Sequence, residues 1–210
     1  MTPPAPDRIR NASTAILLRR DGGAPRVLMG MRGAKAAFMP SKFVFPGGAV
    51  DPEDDAGPAL HGPAGPDPRL LAEPIPDLPV SPRALLTCAR RELAEETGLQ
   101  LHPAAPSLFM FRAITPPGRT RRFDARFFVF DSSHIAGDPD DFSAACDELS
   151  HLHWVPIAKA RDLALPFITE VVLAEVGALL TRAGQGALIR PEAVPFFDNR
   201  GPEPRFSQLI

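Results

Sequence analysis

The sequence lacks the features that mark secreted, membrane and zinc-binding proteins. Its 210 residues include only two cysteines, Cys88 and Cys146, which is too few for a disulfide framework, and no His and Cys residues have zinc-site spacing. We expect both cysteines to be small buried side chains. No apolar run approaches the roughly 20 residues of a membrane-spanning helix, and the N-terminal residues show no apolar signal segment. These absences favour a cytoplasmic protein that does not associate with a membrane.

A large excess of charge of one sign is also lacking. The chain has 23 Lys and Arg against 25 Asp and Glu, a formal net charge of −2. Such a balance predicts no nucleic-acid partner, since the phosphate backbone is bound through an excess of cations. It leaves room for a small phosphorylated ligand, which needs only a few local cations. The length of residues 1–210 is typical of a single domain with its own core.

Proline, in contrast, is abundant, with 26 residues. Prolines and glycines punctuate residues 52–82, which predicts an irregular excursion and not regular structure. The last 25 or so residues are proline-rich again. We interpret them as a tail that packs on the body of the protein or on a second subunit.

Hydrophobic periodicity predicts mixed strands and helices without a regular βαβ alternation, so the fold class is α+β. Ser81 is a suitable N-cap for a helix that begins at Pro82, and Gly98 suits its left-handed C-terminal position. The predicted strands are residues 11–20 and 26–32, which form a hairpin, then 43–45, 108–115, 122–130 and 151–156; the predicted helices are 82–97 and 157–183, the latter broken near Pro166.

The helix over residues 82–97 carries an acidic face. Glu92, Glu95 and Glu96 are spaced i, i+3 and i+4, so they share one side of the helix. Three carboxylates there repel one another unless a cation is bound, and their hard oxygens select Mg²⁺, Mn²⁺ or Ca²⁺. The alternative is an ordinary solvated acidic helix face.

The surrounding residues make the pattern more specific. Residues 91–99 read Arg-Glu-Leu-Ala-Glu-Glu-Thr-Gly-Leu, and Phe-Pro-Gly-Gly lies upstream at residues 45–48. This chain resembles the Nudix hydrolase family, whose motif has Gly, five residues, Glu, seven residues, then Arg-Glu, an aliphatic residue, any residue, Glu-Glu, any residue, Gly and an aliphatic residue. Gly48 matches the first glycine. The resemblance implies the Nudix fold, a mixed β-sheet sandwiched between helices.

The sequence departs from that motif in two ways. The first Glu of the motif falls on Asp54, with Asp51 and Glu53 as rivals for its role. Residues 55–90 then separate Asp54 from Arg91, which is 36 positions where the motif has seven. The proline-rich stretch, taken as residues 55–83, is the insertion, and residues 186–210 form a C-terminal extension outside the resemblance. A long insertion at this place resembles the branch of the family that includes coenzyme A diphosphatases.

The resemblance implies a chemistry and assigns residues to it. It implies an enzyme that uses Mg²⁺ (or Mn²⁺) to cleave a phosphoanhydride bond, with the metal on the three helix carboxylates. Arg91 would pair with a carboxylate and orient it. A carboxylate then removes a proton from the attacking water, and two candidates stay open: Glu95 of the helix and Glu148 of a later loop, where Asp147 could substitute.

Substrate contacts are expected from four residues. Gly48 lets the backbone approach a ligand closely. Arg122 and Arg126 share one face of a strand and could hold phosphates, as could Arg32 at the end of the second strand. The alternative for the two strand arginines is a surface pair with Asp124. The expected partner is a small-molecule diphosphate. Nudix proteins often form homodimers, so the resemblance leaves a homodimer open, and the sequence itself does not give the oligomeric state.

Two other functions compete with hydrolysis. A Nudix fold kept as a ligand-binding or regulatory module would be favoured by a degraded acidic motif, but the three glutamates are intact. Isomerase chemistry on an isoprenoid diphosphate lacks a suitably placed Cys and Glu pair. Within the hydrolase hypothesis the substrate is a nucleoside diphosphate linked to another moiety. Coenzyme A or acyl-CoA leads on account of the insertion, while ADP-ribose and dinucleotides stay open.

Overall fold

The computed structural model describes residues 8–56, 65–184 and 186–210. A mixed β-sheet dominates the described residues, with a helix on each face. The strands are β1 (Ile9–Arg19), β2 (Arg26–Arg32), β3 (Phe43–Val44), β4 (Gly47–Ala49), β5 (Gln100–Leu101), β6 (Leu108–Ile114), β7 (Arg122–Asp131), β8 (Ile135–Ala136), β9 (Leu149–Pro156), β10 (Val194–Asp198) and β11 (Arg205–Leu209); the helices are α1 (Pro82–Thr97), α2 (Ile157–Ala160) and α3 (Phe167–Ala183).

The main sheet has the order β11-β10-β6-β7-β1-β2-β3, with β4 paired to β1 and β9 paired to β2. β1 and β7 are parallel, as are β6 and β10, and the other pairs are antiparallel. The mixed sheet confirms the α+β prediction, and the pairing of β1 with β2 confirms the predicted hairpin. β5 and β8 form a separate two-stranded ribbon.

The sheet splits between β1 and β2, and the split creates the site described below. β3 pairs with β2, whereas β4 pairs with β1, where Ser13 lies opposite Gly48. The chain therefore crosses from one strand to the other within residues 43–49. A Cβ atom on Gly47 would lie 2.6 Å from the Ser13 carbonyl oxygen, so only glycine allows this close approach of the two backbones.

Each helix buries an apolar side against one face of the sheet. α1 has the predicted ends: the Ser81 hydroxyl accepts from the Ala84 amide, and Gly98 ends the helix at a φ of 77°. Its buried side chains join the core on one face of the sheet, and those of α3 join the core on the other. The buried residues at helical spacing are Leu85, Leu86, Ala89 and Leu93 in α1, and Val172, Leu173, Val176 and Leu179 in α3.

The C-terminal segment is a hairpin and not an irregular tail. β10 and β11 pair with each other, and β10 extends the sheet by lying parallel to β6. Of the two placements predicted for this segment, the structure shows packing on the body of the protein. The prolines had suggested irregularity, but Pro195 sits inside β10, where it pairs with Gln208 of β11.

The proline-rich insertion is part of the core where the structure describes it. A short 3₁₀ turn at Pro52–Asp55 leads into it, a second lies within it at Pro68–Leu71, and the Leu70 side chain is buried among the residues that pack against α1. Residues 57–64 of the predicted insertion lie outside the described residues. The irregular backbone predicted from the prolines is therefore found on both sides of that gap, but it is packed down onto the sheet.

The two cysteines, both expected to be buried, have different environments. Cys88 is buried, as predicted, but Cys146 is exposed, because it lies in the loop before β9, where its backbone amide donates to the Glu95 carbonyl. In the described part of the chain, no helix combines the length and apolar character needed to cross a membrane.

Candidate active site

The last turns of α1 lie over the glycine pair in the split of the sheet. Glu96 is buried there, and its Oε2 accepts a 2.8 Å hydrogen bond from the Gly47 amide. Its Oε1 is also buried and has no hydrogen-bond partner among the described residues. The pKa of Glu96 is raised to about 8, mainly by burial and also by the negative charges of Glu148 and Glu92, while the Gly47 hydrogen bond opposes the rise. Without a cation, ionised Glu96 is therefore unfavourable at this position.

Glu92 lies one turn earlier, against the second glycine of the pair. A Cβ atom on Gly48 would overlap the Glu92 carboxylate, so the glycine is what allows the helix to approach this closely. Burial raises the pKa of Glu92, while the hydrogen bond and charge of Arg91 lower it. Two carboxylates with raised pKa values thus face one small space between α1 and β4.

Arg91 connects these acidic residues. Its Nε and Nη2 donate to the two carboxylate oxygens of Asp54 at 2.9 and 3.0 Å, and its Nη1 donates to Glu92 at 2.9 Å and Glu95 at 3.1 Å. Asp54 is only 2% exposed. The hydrogen bond with Asp54 raises the pKa of Arg91. Arg91 is therefore held as a fixed cation, and its guanidinium group orients the carboxylates of Asp54, Glu92 and Glu95.

The structure distinguishes Asp54 from its two rivals. The 3₁₀ turn Pro52–Asp55 points the Asp54 side chain inward, where it also accepts from the Asp51 amide at 2.9 Å. Asp51 reaches Arg91 only at 3.7 Å and is half exposed, and Glu53 is exposed. Of the three candidates, Asp54 is therefore the one that is buried and makes the bidentate contact with Arg91.

Glu95 is placed differently from its two helix neighbours. Its side chain is 56% exposed and pairs with Arg91. As the side chains stand, no group of three His, Cys, Asp or Glu residues within the described ranges is gathered closely enough to hold a metal ion. The structure therefore brings Glu92 and Glu96 together at the glycine pair and leaves Glu95 at the edge of the site.

Glu148 and Arg32 complete the site from the other side of the split. Glu148 lies just before β9, and its Oε1 accepts a 3.0 Å hydrogen bond from Arg32 Nη2. Its side chain is 53% exposed, whereas that of Arg32 is 18% exposed. Glu148 is close enough to Glu92 and Glu96 to raise the pKa of each. Of the two candidate bases, the loop residue faces the buried carboxylates while remaining open to water.

The donor set suits a hard divalent cation. Glu96 carries a buried carboxylate oxygen without a partner, and a buried polar atom of this kind is costly unless something binds it. Within the described ranges, Arg91 is the one positive side chain that bonds directly to Glu92, and it also bonds to Asp54 and Glu95. Oxygen ligands with excess negative charge are what Mg²⁺ and Mn²⁺ prefer. The residues present therefore fit a divalent cation between α1 and β4.

Arg122 and Arg126 lie elsewhere than the sequence analysis expected. They do share a face of β7, but both are buried, and each donates to backbone carbonyls. Arg122 donates to Thr115 at 3.0 Å and Asn199 at 2.7 Å, and Arg126 to Leu70 at 3.3 Å. Burial lowers the pKa of Arg126 to about 10. The C-terminal hairpin and the insertion cover this face of the strand, so these guanidinium groups hold chain segments in place.

The alternative of a surface pair with Asp124 is confirmed in its pairing for Arg126 but wrong in its exposure, because both side chains are buried. The two oxygens of Asp124 accept from Arg112 Nε and Nη2, each at 2.8 Å, and Asp124 lies 3.0 Å from Arg126 Nη1. Arg112, which the sequence analysis did not single out, donates a further hydrogen bond to the Ala72 carbonyl of the insertion at 2.6 Å. The polar half of β7 is therefore a buried ionic cluster and not an open binding surface.

One contributor to the site was missed from the sequence. The Gly47 amide holds Glu96, whereas only Gly48 had been assigned a role. The signal was the glycine pair itself, since two glycines after a strand allow two close approaches: Gly47 meets β1, and Gly48 meets α1.

Comparison with known proteins finds similar domains. The family model described as the NUDIX domain matches residues 81–176. A search of curated proteins finds no match. Many solved structures are similar. They include a NUDIX hydrolase from Alicyclobacillus acidocaldarius, which is 24% identical with a TM-score of 0.56 over 80% of this chain and 90% of that one.

Two further solved structures have a similar fold at lower sequence identity. The NUDIX domain of Shewanella oneidensis NrtR, complexed with ADP ribose, is 13% identical with a TM-score of 0.53 and covers 82% of this chain and 89% of that one. A MutT NUDIX hydrolase from Burkholderia pseudomallei is 20% identical with a TM-score of 0.51 and covers 80% and 98%. At these identities the likeness establishes a shared fold. Residues 81–176 match the NUDIX domain family, and the described chain shares the Nudix fold of these solved structures.

Proposed function

We propose that this protein uses Mg²⁺ or Mn²⁺ to hydrolyse the phosphoanhydride bond of a nucleoside diphosphate linked to another moiety. The observation that carries the proposal is the buried Glu96 carboxylate, whose Oε1 has no partner among the described residues. Next to it stands Glu92, a second carboxylate with a raised pKa. This arrangement costs free energy in an empty site and is compensated when a cation binds.

The proposed metal ligands are Glu92, Glu96 and Glu95. Glu92 and Glu96 already face the glycine pair, and Glu95 lies on the same side of the helix. When bound, the cation would neutralise the negative charge of the diphosphate, which otherwise repels an attacking water. Arg91 keeps the carboxylates oriented through its bonds to Asp54, Glu92 and Glu95. Asp54 therefore supports the site by holding Arg91.

Glu148 is the proposed general base, which removes a proton from the attacking water. Its carboxylate is half exposed, so water reaches it, and it lies beside the buried glutamates. Glu95 is the other candidate, and it lies on α1 among the proposed metal ligands, where its side chain contacts Arg91. The variants Glu148→Gln and Glu95→Gln separate the two roles.

The substrate would bind with its diphosphate over the Gly48 backbone and beside Arg32. ADP-ribose is a first test compound, because the NrtR domain is seen in complex with it. Coenzyme A and acyl-CoA belong in the same panel, since the insertion resembles that of coenzyme A diphosphatases. A dinucleotide polyphosphate completes the set of nucleoside diphosphates linked to different groups.

The test is a hydrolysis assay on that panel with Mg²⁺ or Mn²⁺, with AMP or phosphopantetheine as the measured products. Wild type should release product from at least one compound. Glu96→Gln and Glu95→Gln should reduce kcat by two orders of magnitude or more. Glu170→Gln, an exposed change on α3, is the matched control and should leave kcat unchanged. Folded wild type that stays inactive across the panel would overturn the proposal, and binding without turnover would support a ligand-binding module instead.

A further inference from the structure

The pairing of β2 with β9 is irregular next to the proposed base. Met29 of β2 pairs with His153 of β9. Two positions later, Met31 pairs with Ser150. Two residues of β9 therefore stand opposite Gly30 alone, which is a β-bulge. Bulges of this kind often lie beside active sites, where they change the direction of the strand that carries a functional side chain.

Two local features are required by this bulge. His151 has a φ of 54°, which is the left-handed region that non-glycine residues rarely adopt. Opposite the bulge, a Cβ atom on Gly30 would lie 2.9 Å from both Leu149 Cβ and Leu152 Cδ2. A regular ladder needs neither a left-handed histidine nor a glycine, so the chain accepts strain to keep the irregular pairing.

The bulge shifts the beginning of β9 by one residue along β2. With it, Arg32 pairs with Leu149; without it, Arg32 would pair with Ser150. One residue of a strand corresponds to about 3.3 Å, so a regular ladder would place Glu148 farther from Arg32 by that distance. The Arg32–Glu148 hydrogen bond of 3.0 Å would then be broken, and the carboxylate would leave its place beside Glu96.

We propose that the bulge at Gly30 and His151, together with Arg32, positions the Glu148 carboxylate in the site. Arg32 acts through Glu148 as a positioning residue, and a direct contact of Arg32 with a substrate phosphate is the alternative. The inference rests on the proposed function, because it requires Glu148 to take part in the reaction. The mostly buried guanidinium of Arg32 and the left-handed backbone of His151 then serve the same purpose, which is to position Glu148.

Kinetics of four variants test the proposal, using the panel compound that wild type hydrolyses fastest. Arg32→Ala and deletion of His151 should each lower kcat by about 10²-fold, since a misplacement of about 1 Å can cost that much, while KM changes less than threefold. Arg32→Lys should recover part of the lost kcat, because it keeps the charge but not the planar fork. Gly30→Ala perturbs the bulge without removing a residue, so it tests the same point if the deletion fails to fold.

A double-mutant cycle with Glu148→Gln separates positioning from general structural damage. If Arg32 and the bulge act through Glu148, combining either change with Glu148→Gln should lower kcat no further than Glu148→Gln alone. Additive losses would overturn the proposal, as would a raised KM with unchanged kcat in Arg32→Ala, the sign of a direct phosphate contact. Full activity of Glu148→Gln would instead remove the assigned base, and an inactive wild type would remove the proposed function itself.

Discussion

Glu96 makes the stability of the metal-free protein dependent on pH. Its pKa is about 8 in the folded protein, well above the ordinary value of about 4.5, so the folded state holds this proton more tightly than the unfolded chain does. The contribution of Glu96 to the free energy of unfolding is therefore fully present below about pH 4.5 and is lost as the pH rises through 8. The full shift of the Glu96 pKa between the unfolded and folded states corresponds to on the order of 5 kcal/mol.

Between pH 6 and pH 9, the contribution of Glu96 to the free energy of unfolding decreases by about 3 kcal/mol. For a chain of this size it should lower the melting temperature by roughly 6–12 °C. Glu96→Gln keeps an acceptor for the Gly47 amide but cannot ionise, so the variant should lose less than half as much stability over the same range. The residual slope comes from Glu92, whose pKa is also raised.

The measurement is thermal unfolding of metal-free protein at several pH values, repeated with saturating Mg²⁺. Because the cation competes with the proton for the same carboxylate, Mg²⁺ should stabilise wild type more at pH 9 than at pH 6. Glu170→Gln, remote on α3, should follow wild type at every pH. The reasoning is refuted if the melting temperature of metal-free wild type does not change from pH 6 to pH 9, or if Mg²⁺ stabilises Glu96→Gln as strongly as wild type.

Three further predictions concern the support of the site. Asp54→Asn removes the charge that fixes the motif arginine and should lower kcat about 10- to 100-fold, whereas Asp51→Asn should change it less than twofold; equal effects would contradict the assignment. Gly48→Ala should weaken Mg²⁺ binding at least 10-fold by calorimetry, because the methyl group displaces Glu92, and unchanged affinity would contradict the close packing. Asp124→Asn should cost about 3–5 kcal/mol in denaturant unfolding by leaving buried arginines unpaired without raising KM, and a raised KM would argue for a substrate role.

The sequence was sufficient for features that depend on local chemistry. The limits of α1 followed from Ser81 and Gly98, because capping depends on residues adjacent in the chain. The common face of Glu92 and Glu96 followed from helical periodicity. The glycine pair indicated a close approach of backbones, although which glycine meets which element depends on the split of the sheet and was not visible in the sequence.

The sequence was insufficient where the partner of a side chain is backbone from a distant segment. Arg122 and Arg126 have the alternation typical of a half-exposed strand, and this pattern predicted an open face. The structure buries them because Leu70 and Asn199 present carbonyl oxygens to them. Every residue has a backbone carbonyl, so no residue type in the insertion or the C-terminal hairpin predicts this contact.

Two further arginines, Arg69 and Arg200, join the described part of the predicted insertion to the C-terminal segment. Arg69 of the insertion donates to the Pro191 and Glu192 carbonyls at 2.8 and 2.9 Å, and Arg200 donates to the Pro74 carbonyl at 3.3 Å. The insertion is thus held from outside the motif by the C-terminal segment, as well as from below by the sheet. The chain between Asp54 and α1 is therefore fixed at several points, and the bidentate contact of Asp54 with the motif arginine forms despite the additional residues between them.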